Sequence, residues 1–191
     1  MLRVISGSAK KRRLKSPRGM AVRPTSDRVK EALFNITGSR IPGCFFLDLF
    51  AGTGSIGIEA LSRGASSVVF IENNSRNIQV IRENLKSTGF TEKARLICQA
   101  LPPALNALGR EGLKFDLIFL DPPYLKDFET STLAAVAANS LLKTEGRVIV
   151  ESSKKCVLPG RVADLEMSRQ EKYGDTLLSF YQINGSTGVK N

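Results

Sequence analysis

The sequence predicts an α/β fold: a mostly parallel sheet with helices on both faces, preceded by a small basic extension. Three observations predict it. Short apolar runs alternate with helical patterns from residue 44 onward, as in strands that are buried on both faces and joined by crossover helices. A glycine-rich loop follows the first of those runs, with Gly52, Gly54 and Gly57 at G-x-G-x-x-G spacing. The chain has 191 residues, 42% hydrophobic and 24% charged, which suits one soluble domain with a small appendage.

The elements follow in order. In the first thirty residues Val4, Ile5 and Leu14 lie among basic residues, with Ser6-Gly7-Ser8 between them, and predict a short hairpin. Thr25 or Ser26 can cap a helix whose apolar face is Val29, Ala32, Leu33 and Ile36. Gly38 and Pro42-Gly43 end that helix, and 1–40 is taken as the basic extension. The main domain, 41–185, begins with a strand at Cys44–Phe50. A helix from Ile56 to Leu61 closes at Gly64, a strand follows at Val68–Ile71, and a helix at Asn77–Leu85 stops at Gly89. Next come a strand at Ala94–Cys98, a short helix at Pro103–Leu108 and a strand at Phe115–Leu120. A helix at Leu133–Leu142, a strand at Arg147–Val150 and two strand-like runs at Val162–Leu165 and Leu177–Ile183 complete it; 186–191 is a polar tail.

Composition excludes several function classes. No apolar run approaches the roughly 20 residues of a membrane span, and no apolar stretch follows the basic N-terminus as in a secretory leader, so a cytoplasmic protein is expected. Cys44, Cys98 and Cys156 are isolated and histidine is absent. That removes a disulfide framework, His-ligated metals and Ser-His-Asp catalysis, and no metal is expected.

The net charge is +10, and its distribution is uneven. Residues 1–30 hold ten Lys and Arg against one acid, Asp27, while the remaining residues are nearly balanced. A basic arm on a near-neutral body is the electrostatic footprint of a phosphate-bearing partner. Arg3, Lys10, Lys11, Arg12 and Arg13 are the candidate contacts.

The glycine loop alone fits a dinucleotide, because Glu72 lies 20 residues after Gly52 where a ribose-binding acid belongs. Asp48, on the strand that enters the loop, favours a different ligand. A pyrophosphate on this loop would be repelled by that carboxylate, whereas the sulfonium and ammonium of S-adenosylmethionine would be attracted by it. A nicotinamide-dependent oxidoreductase is the competing reading.

Asp121-Pro122-Pro123-Tyr124 directly follows the strand at Phe115–Leu120. An exocyclic amine of a nucleic-acid base is a poor nucleophile, its lone pair being delocalised into the ring. Two acceptors aimed at its N–H bonds favour the sp³ geometry that alkylation needs and stabilise the positive charge that develops. The Asp121 carboxylate and the Pro122 carbonyl supply such a pair, and the two prolines fix φ without adding N–H donors. Tyr124 offers a face on which an extruded base stacks.

On these motifs the chain resembles the RsmD family of bacterial small-subunit ribosomal RNA guanine-N2 methyltransferases. The likeness runs through Arg3-Val4-Ile5-Ser6-Gly7, Arg12-Arg13-Leu14, Arg23 to Ile36, Leu47 to Ser55, Leu61 to Ala65, Asp121 to Tyr124, Val150-Glu151-Ser152 and Tyr173-Gly174. It implies a Rossmann-like class I methyltransferase fold with a seven-stranded sheet whose last strand is antiparallel. It also implies S-adenosylmethionine as cofactor and guanine N2 of small-subunit (16S) ribosomal RNA as target, within an assembled particle, for a monomeric enzyme. Asp48, Phe50, Ala51, Gly52, Gly54, Glu72, Asn73, Ala100 and Leu101 would then line the cofactor. Asp121, Pro122 and Tyr124 would act on the base, and Arg23, Thr25 and Arg28 would join the arm in holding RNA. The family's third strand exits into Gly-Asp-Ala, and here Ala100 stands at the acid position, leaving Gln99 or the backbone at Ala100–Leu101 to meet the adenine. An adenine-N6 DNA methyltransferase and a catalytically weak ribosome-assembly or RNA-binding factor are the alternatives.

Overall fold

Ser26, one of the two cap candidates, starts the first helix of the computed structural model, which describes residues 2–17, 26–123 and 128–185. Its side chain accepts the Val29 N–H, and Asp27 occupies the first turn of α1 (Asp27–Thr37), as helix N-termini favour. α1 buries Val29, Lys30, Leu33, Phe34 and Thr37. This stripe is rotated from the face read in the sequence, with Ala32 and Ile36 only half-buried. The rotation turns Lys30 inward, where its Nζ donates to the Arg3 carbonyl at 2.8 Å.

The chain forms two compact units, Met1–Ala100 and Leu101–Asn191. The first is built on three parallel strands, β1 (Phe45–Leu49), β2 (Ser67–Glu72) and β3 (Ala94–Cys98), in the order β3-β2-β1. They alternate with α2 (Ser55–Ser62) and α3 (Ser75–Thr88). Each helix matches its expected segment, and Gly89 caps α3 in the left-handed region. Leu47, Leu49, Phe70, Ile58 and Ile81 form the sealed interior. Leu33 and Phe34 of α1 are buried as well.

The basic segment forms a hairpin docked on this unit. Arg3 and Arg13 pair as an antiparallel bridge, Val4 N–H donates to Arg12 O, and Leu14 N–H donates to Leu2 O. Val4, Ala9 and Leu14 are buried. The docking is polar as well as apolar. Glu59, in the middle of α2, is fully buried and accepts the backbone N–H groups of Ile5 at 2.7 Å and Ser6 at 2.9 Å, together with Arg63 Nε at 2.8 Å. Ser62 Oγ takes the Ala9 N–H and donates to Ser6 O. Gly7 adopts φ +81°, and a Cβ there would collide with the Ser62 carbonyl. Glycine is therefore required for the close approach of arm to helix.

The second unit contains α4 (Pro103–Arg110), β4 (Phe115–Leu120), α5 (Phe128–Ala138), β5 (Leu142–Ser153), β6 (Arg161–Val162), β7 (Leu165–Tyr173) and β8 (Thr176–Ile183). Its strand order is β4-β5-β8-β7-β6; β4 and β5 are parallel and the other pairs antiparallel. Eight strands are present among the described residues, against the seven implied by the resemblance.

Three differences from the sequence reading lie here. The helix expected at Leu133–Leu142 starts earlier and ends at Ala138. Ser140 at φ +49° and a bond from Leu141 N–H to Val136 O terminate it, so Leu142 opens β5. β5 runs 12 residues, far beyond Arg147–Val150. The run Val162–Leu165 is a turn rather than a strand: Ala163 at φ +52° folds β6 onto β7, and Val162 pairs with Leu165.

Candidate functional site

β1 delivers Asp48 to the start of the glycine loop. The strand's apolar residues fill the interior, and Asp48, only 2% exposed, shares that burial. Its Oδ2 accepts the Gly57 N–H at 2.9 Å from the first turn of α2. Burial pushes the carboxyl up to about 8; the Gly57 bond opposes this and the nearby Glu72 charge adds to it. The loop turns between the two elements with Phe50 at φ +57°, Gly52 at +56° and Gly54 at +74°. Phe50 is the non-glycine member, and such strain concentrates at ligand sites. Gly57 lies against the Phe70 ring, where any Cβ would clash, so α2 packs directly on β2.

β2 delivers Glu72, 8% exposed. Its Oε2 accepts the Gly52 N–H at 2.8 Å and its Oε1 accepts the Asn74 N–H at 2.8 Å. One carboxylate thus clamps the glycine loop to the exit of β2. Each oxygen keeps acceptor capacity, since an ionised carboxylate offers about four lone-pair sites. Asn73 is exposed beside it. At the exit of β3, Gln99 N–H donates to Glu72 O at 3.2 Å, and Gln99 and Ala100 are exposed. Ala51 is buried, and its N–H donates to Ile71 O. Around this loop Gly52 bonds Glu72 directly, while Asp48 is tied to Gly57 and Ala51 to Ile71.

In the other unit, Leu101 is half-buried. β4 ends at Leu120, and Asp121 follows half-buried, Pro122 buried and Pro123 exposed. Neither proline has an N–H, so their carbonyls are unmatched by donors on the same residues. Tyr124 lies outside the described residues.

On the arm, Arg3, Lys10, Lys11, Arg12 and Arg13 are exposed, as is Arg28 on α1. Arg3 stands 3.7 Å from Asp27. Arg23 and Thr25 lie outside the described residues. Sequence reasoning missed the buried Glu59 and Asn84, which hold the arm. Glu59 had a signal, being the lone acid in the helix Ser-Ile-Gly-Ile-Glu-Ala-Leu-Ser. Asn84 had none beyond falling on the buried face of α3.

The donor set can be tested against possible ligands. The Glu72 charge beside the sealed Asp48 carboxyl opposes a pyrophosphate, and a cation in the loop would favour the charged form of Asp48, which suits a cation with hydroxyls such as S-adenosylmethionine.

Comparison with known proteins identifies the family. The family model described as conserved hypothetical protein 95 matches residues 2–182. A putative rRNA methyltransferase, YlbH of Bacillus subtilis, is 40% identical over 184 residues, covering 96% of this chain and all of the relative. The ribosomal RNA small subunit methyltransferase D of Escherichia coli is 33% identical over 181 residues, covering 95% of this chain and 89% of the relative. Among solved structures, the putative methyltransferase yhhF of Escherichia coli superposes with a TM-score of 0.82 at 30% identity, covering 95% of this chain and 97% of that one. With a family model that spans nearly its whole length and relatives of this identity, the chain belongs to the RsmD family of ribosomal RNA small-subunit methyltransferases.

Proposed function

We propose that this enzyme methylates the exocyclic N2 amine of a guanine in small-subunit ribosomal RNA, using S-adenosylmethionine. The observation that carries the cofactor assignment is Asp48, a sealed carboxyl behind the glycine loop that holds its proton to about pH 8. A cation in the loop draws that carboxyl into its charged form; a diphosphate works against it. Asp48 and Glu72, with the loop Phe50–Gly54, Asn73, and the backbone at Ala100–Leu101, are the residues that would hold the cofactor. The bound cofactor supplies an electrophilic methyl group on sulfonium.

The chain's own residues act on the amine. The Asp121 carboxylate and the Pro122 carbonyl accept its two N–H bonds, hold the nitrogen near sp³ geometry and offset the positive charge that builds on it. Tyr124 stacks on the base, and the proton shed after alkylation leaves to solvent. The arm cations, with Arg23, Thr25 and Arg28, hold RNA phosphates. We take the acceptor to be an assembled small-subunit particle in the cytoplasm and the enzyme to act as a monomer. The names of the two relatives support the ribosomal RNA assignment.

The test is radiolabelled methyl transfer to small ribosomal subunits that lack guanine-N2 methylation, followed by nucleoside analysis. N2-methylguanosine is the expected product. No transfer at saturating cofactor refutes the proposal. Ala100 favours one second reading, a ribosome-assembly factor with a weakened cofactor site, and undetectable cofactor binding by calorimetry would select it.

A further inference from the structure

Asn84 has a role that neither the fold nor the cofactor loop by itself requires. It lies on α3 and is 1% exposed. Its amide bonds two segments distant from it in sequence. Oδ1 accepts the Lys15 N–H at 2.7 Å. Nδ2 donates to Lys15 O at 3.1 Å and to Thr53 O at 3.0 Å. Lys15 ends the docked basic hairpin, and Thr53, itself buried, stands between Gly52 and Gly54. The amide pairs with both backbone groups of Lys15 as a neighbouring strand would, and spends its remaining hydrogen on the glycine loop. A planar group with two donors and one acceptor is needed at this length. Aspartate lacks the donors and leucine lacks all three functions.

We propose that Asn84 is a positioning residue that ties the glycine loop to the basic arm, so that the seating of the arm sets cofactor affinity. This rests on the reading of the loop as the S-adenosylmethionine site. Glu72 holds the loop through the Gly52 N–H, and Asn84 holds the next residue through its carbonyl, so the turn is fixed from both sides. The orientation of the Asn84 amide depends in turn on Lys15. A protein whose arm is unseated therefore keeps its acceptor turn at Asp121 and Pro122 but presents a looser cofactor loop. The arm is in this sense part of the cofactor site, although none of its side chains need touch the cofactor.

The experiment uses the full chain and three variants. Asn84→Asp keeps the acceptor for Lys15 N–H and removes the donors to Thr53 O and Lys15 O. Lys15→Pro deletes the N–H that orients the amide, from an exposed position. Lys15→Ala retains that N–H and loses only the exposed Lys15–Glu83 ion pair. Affinity for S-adenosylhomocysteine is measured by calorimetry, and kcat and KM for the methyl donor by transfer assay. We expect Asn84→Asp to raise Kd and KM about ten-fold, equivalent to about 1.4 kcal/mol, with kcat within about two-fold of wild type. Lys15→Pro raises Kd about three-fold, and Lys15→Ala leaves it unchanged. Equal affinity in Lys15→Pro and Lys15→Ala overturns the proposal, as does a loss of kcat without a change in KM. Should Asn84→Asp not fold, the two Lys15 variants decide alone. Should the wild type bind no cofactor, the reading of the loop fails. The inference is then decided by hydrogen exchange at the Gly52 and Gly54 amides, where faster exchange in Lys15→Pro than in Lys15→Ala supports it and equal exchange refutes it.

Discussion

Replacing Asp48 with asparagine separates what the residue costs the fold from what it gives to binding. Its carboxyl moves from 3.8 to about 8 on folding. For an acid with a raised folded value, the stabilising contribution is complete below the unfolded value and is lost as pH rises through the folded one. Between pH 3.8 and 7 the unfolded chain ionises while the folded chain keeps its proton. At about 1.36 kcal/mol per unit, this costs on the order of 4 kcal/mol by pH 7. The asparagine cannot ionise, yet its side-chain oxygen can still accept the Gly57 N–H. The cofactor-free Asp48→Asn protein should therefore melt higher than wild type at pH 7. The gain is ~8–16 °C, from about 2–4 °C per kcal/mol for a chain of this size. Thermal unfolding of both proteins from pH 5 to 9 at constant ionic strength is the assay. The gap should widen from pH 5 to about 8 and then level off. The same substitution should abolish S-adenosylhomocysteine binding, while wild-type binding at pH 7 releases a proton, visible as a buffer-dependent enthalpy. A gap that does not change with pH, or a variant that melts lower at pH 8, would refute the buried-acid argument.

Reversing the charge of Arg12 and Arg13 should weaken RNA binding and flatten its salt dependence by roughly 0.7 in log–log slope per lost phosphate contact on single-stranded RNA. Cofactor affinity should be unchanged in titration calorimetry, since these exposed side chains do not anchor the hairpin. Asp121→Ala should lower kcat by about 10²-fold or more, the typical cost of losing one electrostatic partner of the reacting group, with little change in cofactor Kd; unchanged turnover would remove Asp121 from the chemistry. Gly57→Ala should destabilise the fold by about 1–3 kcal/mol through overpacking, because its methyl meets the Phe70 ring. Its denaturant midpoint should fall accordingly.

What was legible in the sequence and what was not divide along physical lines. β1, β2 and β4 are short runs buried on both faces, and their apolar content alone marks them. β3 is more exposed, but Gly89 and the prolines at 102 and 103 still bounded it. β7 carries Glu-Met-Ser-Arg-Gln-Glu-Lys and is mostly exposed. It is a strand because β8 pairs with it along its whole length, and no local preference of its own announces that. The end of α5 was lost for a related reason: Leu141 and Leu142 continue an apolar helical pattern, yet a left-handed Ser140 diverts them into the sheet. Long-range pairing overrode the local signal in both cases.

The site follows the same rule. Asp48, Gly52, Gly54 and Glu72, the residues proposed to hold the cofactor, stand out because ligand loops need particular residue types at fixed spacing. Asn84 and Glu59 do not, because their partners are backbone groups. Ile5, Ser6, Lys15 and Thr53 meet them through N–H and C=O groups that every residue but proline carries in full. One half of each such contact is invisible in a sequence, and the other half is a polar residue on a helix. The charge excess of the first thirty residues is therefore visible in the sequence, and a partner-binding arm is the reading proposed for it. That the arm is fastened to the glycine loop is not, because the fastening is made by one buried amide to main-chain atoms 31 and 69 residues away.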